Sequence, residues 1–463
     1  MNTSIKVLIW AYIVLLLIEG ALRKWVLPSF SDPLLIVRDP VLLAIYAIAI
    51  AKGCFPMNAF VVATGVLAAL SVAFSVLGGH TNVLVVLYGV RINYLHLPLI
   101  WIMGSVLDRR DVERIGAFLL LMAIPMTLLM IAQFRAPMDA VINRGIGSEE
   151  IGQIFGADSR IRAPGLFSFI SGPQLFFPFC AAFFFNEIGG TRRLSWYLLV
   201  PCGLAIAVGL PVSISRTVML GTGVVALVFV ASLPFSSARP AALFRPLLLL
   251  LLVGAALTQV PVFREGIEVF MIRWDDAAGE AASAWTNVVS RTASGFTNPY
   301  FFMREAPFFG YGIGAGSNVG ARLLSGNVGF YLAEEEWGKV LLELGPLVGA
   351  AFIVLRISLV VSLGLLAWRA LRETRNALPL LIWSAAAMTI LQGQWAPPTI
   401  LGFSVVGAGL LLGALRPVTV AATATVAPPV PAAPRGRRRE TRALSRPGVR
   451  DLRSAPVPSE RRP

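Results

Sequence analysis

Residues 330–355 read FYLAEEEWGKVLLELGPLVGAAFIVL. Three consecutive carboxylates, Glu334, Glu335 and Glu336, stand directly before a run that reads as a membrane-spanning helix. Outward from this stretch, apolar runs of similar length recur along all 463 residues, 56% of them hydrophobic and 14% charged. The mean hydropathy is +0.75. No soluble globular chain of this length has that composition. The fold expected is an all-α polytopic membrane protein, because helices satisfy their own backbone polar groups inside lipid.

Twelve apolar spans are expected, near 6–22, 34–51, 59–77, 83–104, 115–133, 168–186, 196–212, 216–233, 244–260, 338–366, 378–394 and 399–416. With the N-terminus in the cytoplasm, the positive-inside rule holds on most loops. Lys52, Arg109, Arg110, Arg114, Arg192, Arg193, Arg239, Arg245, Arg369, Arg372 and Arg375 fall inside; Arg23 and Lys24 are an exception. An even number of spans puts both termini on the cytoplasmic side. Four domains follow: nine spans over 1–260, a large outside loop over 261–337, three spans over 338–416, and a tail over 417–463.

The net charge is +14, and the tail carries half of it, with ten arginines against three acids. Its Pro, Ala and Arg content predicts a disordered cytoplasmic segment facing anionic headgroups, with no nucleic-acid partner. Cys54, Cys180 and Cys202 lie in or beside apolar runs and form neither a disulfide framework nor a metal motif. The first apolar run lacks a clean cleavage site and reads as a retained helix.

Several charges stand where lipid should be. Arg91 lies inside the fourth span, near Asn93 and His96. An arginine there costs at least ~2.5 kcal/mol on insertion scales and must face the bundle interior or water. Arg216 opens the eighth span, and Arg160 and Arg162 precede the sixth. All four fall toward the outer half of the layout. Planar guanidinium groups suit bidentate contact with phosphate oxygens. Arg91, Arg162 and Arg216 are therefore candidate ligands for a lipid-anchored diphosphate. In the large loop, Arg291 and Arg304 accompany a glycine run, Gly310, Gly312 and Gly314, that reads as a backbone cradle for substrate. Nucleotide, metalloprotease, serine-hydrolase and CxxC motifs are absent.

These motifs fall in a telling order: Arg162-Ala-Pro-Gly165-Leu-Phe167, Ser215-Arg216-Thr217, Pro307-Phe-Phe-Gly310-Tyr-Gly312-Ile-Gly314, and Glu343-Leu-Gly345-Pro-Leu-Val-Gly349. In order and in side of the membrane, over roughly 160–350, the chain resembles the O-antigen polymerase and O-antigen ligase superfamily of bacterial membrane glycosyltransferases. The last motif has one residue more between its glycines than the family pattern. The resemblance implies an enzyme of the bacterial inner membrane. Such an enzyme polymerises polyprenyl-diphosphate-linked oligosaccharide repeat units into O-antigen or exopolysaccharide at the periplasmic face. Its partners are membrane lipid and, beyond that, a chain-length regulator or polysaccharide assembly proteins.

Many ligases of that superfamily carry a histidine base about nine residues before the glutamate matched by Glu343. Counting back nine reaches Glu334, and no histidine follows His96. A carboxylate base is therefore expected, Glu334 or Glu335, since adjacent carboxylates repel and raise one another's pKa. Glu336 is expected to orient an arginine, and Glu343 to pair with an arginine in the core or to cap the site from below. No cofactor and no metal is expected, the arginines supplying the positive charge. The alternatives are an O-antigen ligase, which the missing histidine disfavours, and a lipid-linked oligosaccharide flippase or transporter.

Overall fold

The computed structural model describes residues 3–80, 82–146, 160–190, 193–236, 255, 258–276, 284–326 and 332–417. Among these residues the regular structure is helical, with no strand. Eight helical segments are long and apolar enough to cross a membrane: Thr3–Val26, Pro33–Ala51, Ala59–Leu77, Val83–Val106, Arg109–Arg135, Arg216–Phe235, Glu336–Thr374 and Pro398–Leu415. Trp196–Val212 and Leu378–Gln392 are apolar but shorter. Ser171–Gly189 is a further helix, diluted by Gln174, Asn186 and Glu187. The chain is thus an α-helical, membrane-embedded protein. The expected ninth span, 244–260, lies almost wholly outside the described residues, as does the tail from 418. The expected outside loop, 261–337, contains the helices Pro261–Asp276, Ala284–Glu305 and Asn318–Ser325.

The most enclosed helix is Pro398–Leu415, buried on nearly every face. Its glycines explain why. A Cβ on Gly407 would stand 2.5 Å from Phe179, and one on Gly409 would stand 2.7 Å from Met103. Between helices in lipid the hydrophobic effect is weak, so close approach at small residues carries the packing.

Charge separates the two ends of the bundle. At one end Lys6 pairs with Asp111 at 2.5 Å, Glu113 binds Arg109 at 2.8 Å and also Arg193, and Asp108 caps the Arg109–Arg135 helix with Asp111. At the other end stand Glu19, Arg23, Arg38 and Asp39. The Thr3–Ala21 helix joins the ends, and 19 residues at 1.5 Å rise span about 28 Å.

A single break reshapes the segment around residues 330–355. Glu336–Thr374 is not one rod: Gly345 has φ 76° and ψ 167°, outside the helical region. Pro346, following it, starts a helix well because its missing N–H would lack a partner there anyway. Twenty residues of straight helix would separate Glu336 from Arg356 by about 30 Å. Instead Arg356 Nη1 lies 2.8 Å from Glu336 Oε1. A Cβ on Gly349 would stand 3.0 Å from Leu341 Cα. Residues 336–344 therefore form a half-helix folded back along 346–356. The sequence reading of one continuous helix, with Glu343 two turns in, is corrected by this reversal.

Folding back leaves the last carbonyls of the half-helix without helical partners. The glycine run supplies them: Tyr311 N–H donates to Leu342 O at 2.7 Å, and Gly312 N–H donates to Glu343 O at 3.0 Å. Only glycine fits at 310, where φ is +72° and a Cβ would lie 2.5 Å from Gly345 N.

Candidate functional site

The reversal carries the acidic triplet away from the tip of a span and into a packed corner. Glu336 is buried and meets two cations, Lys339 Nζ at 2.7 Å and Arg356 Nη1 at 2.8 Å. Arg356 also donates from Nε to Ile390 O at 2.8 Å and from Nη2 to Gly393 O at 2.7 Å, and it stacks on Trp395 at 4.0 Å. Glu343, also buried, accepts from Gly316 N–H at 2.7 Å; its Oε2 has no hydrogen-bond partner among the described residues. Two carboxylates and two cations balance, as buried charges must. Glu335 is half-buried and accepts from Asn298 Nδ2 at 2.7 Å. Glu334 is exposed, and its backbone carbonyl accepts from Gln394.

Beside this corner a cavity of about 200 Å³ opens between the Ser171–Gly189, Leu378–Gln392 and Pro398–Leu415 helices. Ser171, Gln174, Thr389, Gln392 and Gly393 line it together with the apolar Leu175, Met388 and Ile400. Gln392 Nε2 is buried without a hydrogen-bond partner among the described residues. Gln174 donates to Ser215 Oγ at 3.3 Å, and Arg216 follows directly, with its Nη1 buried and unpartnered among the described residues. The Gly393 carbonyl that Arg356 holds belongs to the cavity wall, and Gln394, bonded to Glu334, is the next residue. The Ala284–Glu305 helix covers the same corner, with Asn298 on Glu335 and Phe296 edge-on to Trp337 at 5.3 Å.

A second charged network lies across the 393–398 turn. Arg38 Nε is 3.3 Å from Glu19 Oε2, and its Nη2 donates to Pro398 O. Arg91 grips Asp39 with two nitrogens, at 2.5 and 3.1 Å, and donates to Leu35 O at 2.7 Å. His96 sits between Asp39 Oδ1 at 3.2 Å and Tyr12 Oη at 2.9 Å. Lys24 donates to Gly165 O at 2.9 Å, next to Ser168, which accepts from Arg23 at 3.4 Å. The 393–398 turn is thus held from both sides, by Arg356 and by Arg38.

The structure brings Glu334, Glu335, Glu336, Glu343 and Arg216 to one region, and it commits Arg91 elsewhere. Arg91 gives Nε and Nη2 to Asp39, and its Nη1 is buried with no hydrogen-bond partner among the described residues. Arg162 is half-buried on the 160–170 segment, and Arg304 is exposed, stacked 5.3 Å from the Tyr300 ring. Arg291 falls in the Ala284–Glu305 helix, but its side chain lies outside the described residues. Gly310, Gly312 and Gly314 all have positive φ, as a cradle would, but the cradle is occupied by the chain itself. Ile313 N–H donates to Ser75 Oγ at 2.9 Å, and His80 Nε2 lies 3.3 Å from Gly310 O.

Sequence reasoning missed Arg356, Lys339, Arg38, Asp39, Gln174 and Gln392. The signal for Arg356 and Lys339 was present: both stand inside an apolar run, where a charge needs a partner. Gln174 and Gln392 gave no such signal. Among the described residues no group of His, Cys, Asp and Glu side chains converges to hold a metal ion. No family model, curated protein or solved structure matches the chain.

Proposed function

We propose that this chain is a membrane glycosyltransferase. It extends polyprenyl-diphosphate-linked oligosaccharide repeat units into O-antigen or exopolysaccharide at the periplasmic face of the bacterial inner membrane. Twelve spans with both termini cytoplasmic are part of the reading. The observation that carries it is the cavity beside the acidic triplet. It has a sugar-sized volume, amide side chains in its wall with a Gln392 nitrogen unpartnered among the described residues, and an Arg216 nitrogen, likewise unpartnered, close by. Orphaned buried donors are costly unless a ligand meets them.

In this reading the acceptor hydroxyl attacks the anomeric carbon of the lipid-linked glycan. The new glycosidic C–O bond forms as the bond to the diphosphate oxygen breaks. Glu334, whose carboxylate has no hydrogen bond among the described residues, accepts the hydroxyl proton. Arg216 stabilises the departing diphosphate. Arg162 lies on the neighbouring segment and assists it, Glu335 orients the acceptor, and Glu336 acts through Arg356 to fix the cavity wall. The reading requires no metal.

The test is polymerisation in nanodiscs, with lipid-linked repeat units extracted from a strain lacking the protein. A ladder that survives EDTA and is lost in Glu334→Gln and Arg216→Ala supports the enzyme. One observation favours the flippase alternative, the helix broken at Gly345, since discontinuous helices recur in transporters. Labelled lipid crossing proteoliposome membranes with no ladder would establish transport in place of synthesis.

A further inference from the structure

At the Lys6 end of the bundle lies a second, unrelated cavity, of about 60 Å³. It opens where the Ser171–Gly189, Arg216–Ser232 and Leu378–Gln392 helices meet the end of Glu336–Thr374. Its rim carries Arg109, Arg375 and Asn186, and its floor carries Phe185, Phe229 and Leu381. A water molecule needs about 10–15 Å³ on such a measure, so this space fits roughly four to six heavy atoms, the size of a phosphate group.

The rim is built of donors awaiting an acceptor. Arg375 ends its helix in a left-handed conformation, φ 53°, which glycine or asparagine adopts at less cost. No hydrogen bond or ion pair holds its side chain among the described residues. Arg109 gives its Nε to Glu113 at 2.8 Å and keeps four other N–H groups. Glu113 is also paired with Arg193. The Leu378–Gln392 helix turns its N-terminus to this space through Ala377, but the Ser171–Gly189 and Glu336–Thr374 helices end at it, so the helix dipoles offset one another and the arginines supply the positive charge. Close by, Arg372 stacks 5.2 Å from Phe235 and 5.9 Å from Trp368, both exposed. Aromatic rings at this position suit the headgroup level of a bilayer.

We propose that this cavity binds a phosphate group, supplied by the headgroup of an anionic phospholipid whose acyl chains lie along the bundle. Basic pockets between spans are the usual seats for such headgroups. The site is separate from the cavity used under the proposed function, so either reading stands without the other.

The experiment is native mass spectrometry of the full-length protein, titrated with phosphatidylglycerol, with phosphatidylcholine, and with phosphatidylglycerol plus inorganic phosphate. The informative variant is Arg375→Gly. It removes the charge while relieving the left-handed backbone, so it folds at least as well as wild type. Wild type should retain phosphatidylglycerol in preference to phosphatidylcholine. Arg375→Gly should bind it about fivefold more weakly, matching roughly 1 kcal/mol for each basic side chain at a headgroup. Competition by millimolar inorganic phosphate would open the site to the free anion. No competition, with the lipid still bound, would assign it to the lipid alone, and either result keeps the site. Equal retention of both lipids by wild type, or unchanged binding in Arg375→Gly, overturns it.

Discussion

Glu336→Gln is the sharpest perturbation of this architecture. Glu336 alone contacts both Lys339 and Arg356, at 2.7 and 2.8 Å, and all three are buried. With Glu336 the corner holds two carboxylates and two cations; with glutamine it holds one carboxylate and two cations. Breaking a buried pair by removing one partner costs about 3–5 kcal/mol. At roughly 2 °C per kcal/mol for a large chain, the expected loss in Tm is about 6–10 °C. Adding Lys339→Met removes the cation that contacts Glu336 directly, leaving Arg356 with the carbonyls of Ile390 and Gly393. The double variant should therefore lie above the sum of the two single losses, with a coupling of about 1–3 kcal/mol. The assay is fluorescence-detected gel filtration of detergent-solubilised protein after graded heating. If Glu336→Gln melts with wild type, or if the double variant loses the plain sum of the singles, the four-charge corner is not what holds the half-helix back.

Other outcomes follow from the same contacts. Gly310→Ala forces a Cβ against the Gly345 backbone at positive φ and should cost at least about 2–4 kcal/mol. Gly79→Ala, at φ +81° with open space around it, should cost only about 1–2 kcal/mol, and graded heating separates the two. Asp39→Asn deprives buried Arg91 of its carboxylate and should lower stability by about 3–5 kcal/mol in the same assay. Arg216→Lys keeps the charge and loses the planar fork, so polymerisation should fall about tenfold with normal melting. Equal rates would remove Arg216 from diphosphate recognition.

Some of this molecule was legible in the sequence, because lipid imposes simple rules. Eight helices long and apolar enough to span follow from run length, and the buried charge of Arg91 follows from the cost of leaving it alone. What it paired with did not follow, since Asp39 lies 52 residues away and at the far side of two turns. The same holds for Arg38, which reaches Pro398 across 360 positions. No periodicity records such distances; they are set by which helices pack at small residues.

The acidic triplet shows how one local event decides the chemistry of a whole region. Read along the chain, Glu334–Glu336 sits at the outer tip of a span, where a solvated acidic turn would be unremarked. Gly345 and Pro346 reverse the backbone, and the glycine run at 310–316 satisfies the carbonyls that the reversal exposes. Glu336 is thereby driven into contact with Arg356, which in turn holds Gly393 in the cavity wall. The glycines that read as a substrate cradle are thus a structural condition for the site: without their amides and their missing Cβ atoms the half-helix has no closed end. Substitutions there should abolish function through the fold, while substitutions of Glu334, exposed and outside the four-charge corner, should abolish it with the fold intact.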